Sequence, residues 1–158
     1  MTIAIECYPD EVVLRELGIP RRQLLHQARK GEVFNWLKRT PGGVGMVDED
    51  PMSAQPCDRR NYQQVQASEG LFLFARRGSG QRLIVVCPRL EDWLIGRAEV
   101  SGVDPRRHYL PSDPNELHKI PRYEQKDGFH RFLAELMERH DKGMGLLRQW
   151  VFQGGSSR

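Results

Sequence analysis

Thr2-Ile3-Ala4-Ile5-Glu6-Cys7-Tyr8-Pro9-Asp10-Glu11 passes from an apolar run to a helix start within a few residues. Residues 2–6 read as a short strand, apolar enough to be buried on both faces. Proline fits the first helical turn, where its missing N–H would have had no partner. Asp10 and Glu11 sit where negative charge complements the positive end of the helix dipole. Val12, Val13, Leu14 and Leu17 form the inward stripe, and Gly18 ends the helix. Pro20 is expected to open a second helix with Leu24, Leu25 and Ala28 inward. Gly31 breaks or kinks it, and Val33, Phe34 and Leu37 carry helical spacing on to Arg39. Beyond the turn Pro41-Gly42-Gly43, Val44–Asp48 reads as a second strand. Strand, helices, strand implies a right-handed crossover and a parallel pair.

The rest of the chain adds to that unit. Residues 51–69 are polar without a sustained period and read as a long loop with room for one helical turn. Leu71–Ala75 and Leu83–Cys87 read as strands of a hairpin with Gly78-Ser79-Gly80 at its tip. Leu90–Ala98 is a helix carrying Glu91, Asp92 and Trp93. Residues 101–124 are rich in proline and charge, with one helical turn near 114–118. Phe129, Phe132, Leu133, Leu136 and Met137 recur at helical spacing and predict a helix over 127–140. Leu146, Leu147, Trp150 and Val151 predict a last helix, and residues 154–158 a frayed tail. The class is α/β with a small mixed, mainly parallel sheet flanked by helices. Its core is residues 1–100, and 101–158 form a C-terminal helical extension packed on the same domain.

Composition bounds the function. The chain has 158 residues, 39% hydrophobic and 28% charged, with a mean hydropathy of -0.61. That is enough for one domain with its own core, and it argues against global disorder. No apolar run reaches the roughly 18 residues of a membrane span. The N-terminus has no basic region and meets Glu6 at once, so a first strand is expected rather than a signal peptide. Three cysteines, Cys7, Cys57 and Cys87, are too few and too scattered for a disulfide framework or a four-thiolate zinc site, and a cytoplasmic setting is expected. The net charge is only +3, but arginine supplies 19 of the 24 cations, many in adjacent pairs. Guanidinium forks suit phosphate oxygens. His26, His108, His118, His130 and His140 share no metal-ligand spacing, and Trp36, Trp93 and Trp150 read as core or interface residues.

One constellation carries chemistry. Glu6 ends the first strand and Asp48 the second, and in open α/β sheets ligands bind beyond the carboxyl ends of the strands. Asp50 points to the same side as Asp48 while the chain stays extended. Asp10, four residues after Glu6, sits on the same rim. Such acids repel each other unless some are protonated or a cation lies among them. Oxygen donors alone favour magnesium, manganese or calcium over zinc. Two such ions can clamp the attacking and leaving oxygens of a phosphodiester.

Ile5-Glu6-Cys7-Tyr8-Pro9-Asp10-Glu11 followed by Gly45-Met46-Val47-Asp48-Glu49-Asp50-Pro51 resembles the TOPRIM domain, a Rossmann-like fold, over roughly residues 3–95. The Glu6-x-x-x-Asp10 spacing is closest to the OLD-type nuclease branch. Cys7 stands where many members of the family have glycine. The resemblance implies a magnesium- or manganese-dependent nuclease subunit. Glu6, Asp10, Asp48 and Asp50 would be its catalytic and metal-binding acids, and Glu91 or Asp92 would complete the second metal site. The OLD-type branch pairs this domain with an ATPase. This chain carries no phosphate-binding Gly-x-x-x-x-Gly-Lys-Ser/Thr loop, so a separate ATPase partner in phage defence is expected. Lys30, beside Arg29 at a helix start, and Arg59 and Arg60 in the long loop are candidate nucleic-acid contacts. Lys119 is a candidate phosphoryl clamp. Each also reads as an ordinary surface cation. The alternative function is a non-catalytic TOPRIM-like binding or regulatory subunit of a larger complex. A small phosphotransferase on the same acids is a third reading. Assembly with further copies of the chain is left open.

Overall fold

A computed structural model describes residues 1–153; the expected frayed tail, 154–158, lies outside the described residues. The elements follow as β1 (Ile3–Ile5), α1 (Tyr8–Glu16), β2 (Leu24–His26), α2 (Lys30–Lys38), β3 (Val44–Asp48), β4 (Tyr62–Ser68), β5 (Leu71–Arg76), β6 (Arg82–Val86), α3 (Leu90–Ser101), α4 (Pro114–Lys119), α5 (Asp127–Glu138) and α6 (Lys142–Gln153). They build one six-stranded mixed sheet in the order β2-β1-β3-β6-β5-β4. β2, β1, β3 and β6 run parallel, β5 pairs antiparallel with β6, and β4 pairs antiparallel with β5. This is a Rossmann-like α/β architecture.

Strand alternation separates two apolar layers. Ile3, Ile5, Val44, Met46, Ile84 and Val86 share one buried cluster with side chains of α1, α3, α5 and α6. Ala4, Val47, Leu83 and Val85 face the opposite way, onto Val33, Phe34 and Leu37 of α2. The near-continuous apolar runs of the central strands follow from this double coverage. The extension therefore closes the main core. Arg97 of α3 fastens it, reaching Asp141 ahead of α6 at 3.1 Å and Glu69 of the β4–β5 turn at 2.6 Å. Among the described residues no helix is long and apolar enough to cross a membrane. The three cysteines are unpaired.

Two segments depart from expectation. The segment opened by Pro20 is no helix. Arg21–Gln23 makes one 3-10 turn, and Leu24–His26 pairs in parallel with β1 as an edge strand. The open edge of β1 needs hydrogen-bond partners, and that pairing outweighs a weak helical period. The helix starts anew at Lys30, so Gly31 lies inside its first turn instead of breaking it. The expected loop 51–69 holds its one helical turn, the 3-10 stretch Cys57–Asn61, but its second part is strand β4. Beyond Tyr62, β4 is exposed on both faces, so it shows no alternation to read. Its partner is fixed by Glu69-Gly70, both at positive φ (54° and 76°), the two-residue turn that matches hairpin twist. A register shift between Gln64 and Gln66 bulges this edge at Val65.

The α5 start packs unusually close to the segment before it. A Cβ on Gly128 would stand 2.0 Å from the backbone carbonyl oxygen of His108. Backbone cannot swing aside as a side chain can. Gly128→Ala is expected to destabilise the fold by about 3 kcal/mol, measured by urea denaturation; an unchanged midpoint would overturn this close packing.

Candidate functional site

The chain leaves β1 in one direction through α1 to β2, then crosses β1 through α2 to β3 on its other side. The two helices lie on opposite faces of the sheet. A crevice therefore opens beyond the carboxyl ends of β1 and β3, the switch point where α/β sheets bind ligands. It is a cleft of about 730 Å³ lined by Glu6, Asp48, Asp50 and Glu91 together with Lys30, Arg29 and Arg89. Residues 120–124, from the extension, form its far wall.

Glu6 directly follows β1, and its Oε1 accepts a 2.8 Å hydrogen bond from the Asp48 N–H. One side chain thus ties together the ends of both switch-point strands. Asp10 is fully buried at the start of α1, and neither of its carboxylate oxygens makes a well-formed hydrogen bond; the groups that face it as weak donors are the thiol and N–H of Cys7. Asp48 Oδ1 is likewise buried and unpartnered. Burial first, then the charges of Glu6 and Glu91, push Asp10 up to about 7, against the pull of the Cys7 thiol and N–H. Burial followed by the charge of Asp10 pushes Asp48 up to about 9, against the pull of the Leu90 N–H. Glu6 is also raised by burial, while the Asp48 N–H and Lys30 act to lower it. The Cys7 thiol in the same cleft is pushed far up by burial and by Asp10, so it stays neutral.

Asp50 lines the cleft by a different route from the one expected. Its φ is 39°, so the chain turns there instead of staying extended, and its N–H donates to Pro88 O at 2.7 Å. Glu91, in the first turn of α3, faces the cleft at 7% exposure. Its Oε1 accepts from the Tyr123 hydroxyl at 2.9 Å and lies 3.2 Å from His118 Nδ1. Asp92 turns away, pairs with Arg89 at 2.7 Å, and borders a separate depression beside Pro51 and Met52.

The candidate cations divide. Lys30 lines the cleft and is nearly buried; its Nζ donates to Glu49 O at 2.8 Å and Ser53 Oγ at 3.3 Å, holding the loop after β3. Arg59 lies outside the cleft, 3.3 Å from Glu49 and stacked 4.4 Å over the Phe74 ring. Arg60 is exposed and also outside it. Lys119 is exposed beside Glu116, at 3.4 Å, and does not line the cleft. Arg29, Arg89 and Arg122 line the cleft instead. His118, Tyr123 and Arg122 were not read from the sequence as site residues. They lie about thirty positions from Glu91, and no spacing rule connects them to it.

The donor set fits a hard divalent cation: several carboxylates, three of whose oxygens are buried without well-formed hydrogen bonds, while the one thiol stays neutral and offers no thiolate ligand. Among the described residues, no three His, Cys, Asp or Glu side chains form a ready-made coordination sphere. Glu6, Asp48, Asp50 and Glu91 line the one cleft; Asp10, expected on its rim, is instead fully buried and is not among the residues that line it, because the start of α1 packs into the core there.

No protein-family model, no curated protein and no solved structure matches this chain. A Rossmann-like fold alone assigns no activity.

Proposed function

We propose that this chain is a magnesium- or manganese-dependent, TOPRIM-like nuclease subunit that hydrolyses phosphodiester bonds of nucleic acid. The observation that carries the reading is the set of buried, unpartnered oxygens of Asp10 and Asp48 at the switch point. Unpaired buried carboxylates are expensive to keep unless a cation or protons compensate them. The adjacency of Glu6 and Asp48-Glu49-Asp50 at the ends of neighbouring parallel strands supports the family resemblance. Glu6, Asp48 and Asp50 would hold one ion and Asp10 with Glu91 the second. The pairing of Asp92 with Arg89 leaves Glu91 as the better second-site acid. Bound ions would supply Lewis acidity and an activated water.

The chain's own groups do the rest. Arg29, Lys30 and Arg89 line the cleft with positive charge and draw a phosphate backbone toward acids that would repel it. Glu6 holds the ends of β1 and β3 in register through the Asp48 N–H. Tyr123 and His118 fix the Glu91 carboxylate. A separate ATPase in phage defence and a cytoplasmic setting belong to the same proposal.

Calorimetric titration with Mg²⁺ and Mn²⁺ near neutral pH tests the reading. Binding is expected to release protons from Asp10 and Asp48, so the observed heat will vary with the ionisation enthalpy of the buffer. Cation-dependent cleavage of a labelled oligonucleotide, abolished by EDTA, is the second expected result. No binding heat would overturn the metal site. Binding without cleavage would favour the non-catalytic subunit.

A further inference from the structure

Beside the cleft, two aromatic rings lie stacked in the open. Tyr8, the first residue of α1, and His26, the last of β2, have ring centroids 4.2 Å apart and planes 9° from parallel. Stacking covers one face of the Tyr8 ring, yet Tyr8 is still 59% exposed. Its outer face is therefore presented to solvent. Among the described residues, His26 is its aromatic partner and no guanidinium covers it.

The position is as informative as the exposure. Tyr8 lies between Cys7 and Pro9, both of which line the cleft, and two residues beyond Glu6. His26 stands three residues before Arg29, another cleft residue. The stack is thus at the carboxyl-end rim of the sheet, on the β1–β2 side of the acidic cleft. An aromatic face beside a phosphate-attracting groove is how sequence-tolerant single-strand sites are built: cations follow the backbone and rings take the bases. A base inside a duplex already stacks on its neighbours and hides both faces. Away from a duplex end, only an unpaired base can lie on Tyr8.

We infer that the outer face of Tyr8, backed by His26, receives an unpaired base of a single-stranded nucleic acid whose adjacent phosphodiester lies in the acidic cleft. This rests on the reading of that cleft as a phosphodiester site. It adds the substrate class, single strands or frayed ends over intact duplex. It also gives Tyr8 a positioning role. A stacked base fixes where its neighbouring phosphate sits relative to Glu6 and Asp48, without any polar contact that depends on base identity. His26 holds the Tyr8 ring flat, so less freedom is lost when the base arrives.

A purely structural stack, clasping α1 to β2, predicts something different. Its loss would lower the melting temperature and leave strand preference unchanged. The test uses the full chain and fluorescence anisotropy with labelled oligo(dT), oligo(rU) and a blunt duplex. Binding is measured with EDTA and again with Ca²⁺ for wild type, Tyr8→Ala and Tyr8→Phe. Wild type is expected to prefer single strands. Tyr8→Ala should lose about tenfold in single-strand affinity, with duplex affinity and the calorimetric Mg²⁺ affinity unchanged. Tyr8→Phe keeps the ring and should bind as wild type does. A loss on either homopolymer supports the platform and identifies the strand it serves. An equal loss on duplex, or no loss at all, overturns the platform and leaves the cleft reading standing. Wild-type protein that binds neither homopolymer also overturns it. The cleft reading has its own separate failure, a silent metal titration.

Discussion

Raising the pH of the metal-free protein from about 5 to about 8 is expected to lower its melting temperature, and Asp48→Asn is expected to remove much of that loss. In the unfolded chain both aspartates ionise near their ordinary value of 3.8, whereas in the fold burial raises Asp10 to about 7 and Asp48 to about 9. Between those limits the folded state keeps protons that the unfolded state has released. Stability is therefore fully present below the unfolded value and falls as pH rises toward the folded ones. The slope is on the order of 1 kcal/mol per pH unit for each retained proton. The groups facing the pair are Glu6 and Glu91, which raise both values, the Cys7 thiol and N–H, which oppose the shift at Asp10, and the Leu90 N–H, which opposes it at Asp48. Lys30 acts on Glu6. Asp104 and Glu135 have lowered values from Arg106 and His108, so their effect runs the other way and appears only in stronger acid. An amide at position 48 cannot ionise and removes one charge from the cluster. Millimolar Mg²⁺ should restore the wild-type melting temperature at pH 8 by binding the ionised, folded form, and should do little for the variant. A wild-type melting temperature that stays flat across this range, followed by circular dichroism, would show that the aspartates are solvated after all.

The sequence made the β1-to-β3 unit legible because its signals are local and agree with each other. Ile3–Ile5 and Val44–Asp48 are apolar runs closed by acids, and the helix between Pro9 and Leu17 carries its own start signals. The same holds for α5, whose apolar stripe recurs at helical spacing along its whole length. Leu24–His26 was not legible, because three residues carry no period and only the free edge of β1 makes them a strand. Tyr62–Ser68 was hidden for the opposite reason: an edge strand exposed on both faces has no buried side to alternate. Within the site, Glu6, Asp10 and Asp48 were visible as strand-end and helix-start acids. Asp50 was placed in the cleft for a reason that does not hold, since a left-handed turn and not an extended chain brings it there. The far wall, with Tyr123 and His118 on Glu91, comes from packing of the extension across the cleft. That long-range contact leaves no mark in local spacing.

Substitutions at the two neighbouring acids of α3 are expected to separate the cleft's chemistry from its surface. On the proposed nuclease reading, Asp48→Asn should reduce magnesium-dependent cleavage by at least about 100-fold, and Glu91→Gln by about 10- to 100-fold. Asp92→Asn should stay within about threefold of wild type, because a partly exposed pair such as Arg89–Asp92 contributes little by itself. The contrast follows from side-chain direction. Residues 91 and 92 are adjacent on the first turn of α3, yet Glu91 turns inward onto Tyr123 and His118 while Asp92 turns outward to Arg89. If a second cation sits between Asp10 and Glu91, Glu91→Gln should also weaken the Mn²⁺ titration while leaving single-strand binding in EDTA equal or tighter, since one negative charge has left the path of the phosphate. Helix-dipole complementarity alone would make residues 91 and 92 interchangeable, because both lie in the first turn. Equal, small effects at the two positions would therefore assign both acids to the helix start and remove Glu91 from the site. Steady-state cleavage of a labelled single strand across these variants, together with metal titrations of each, decides between the two.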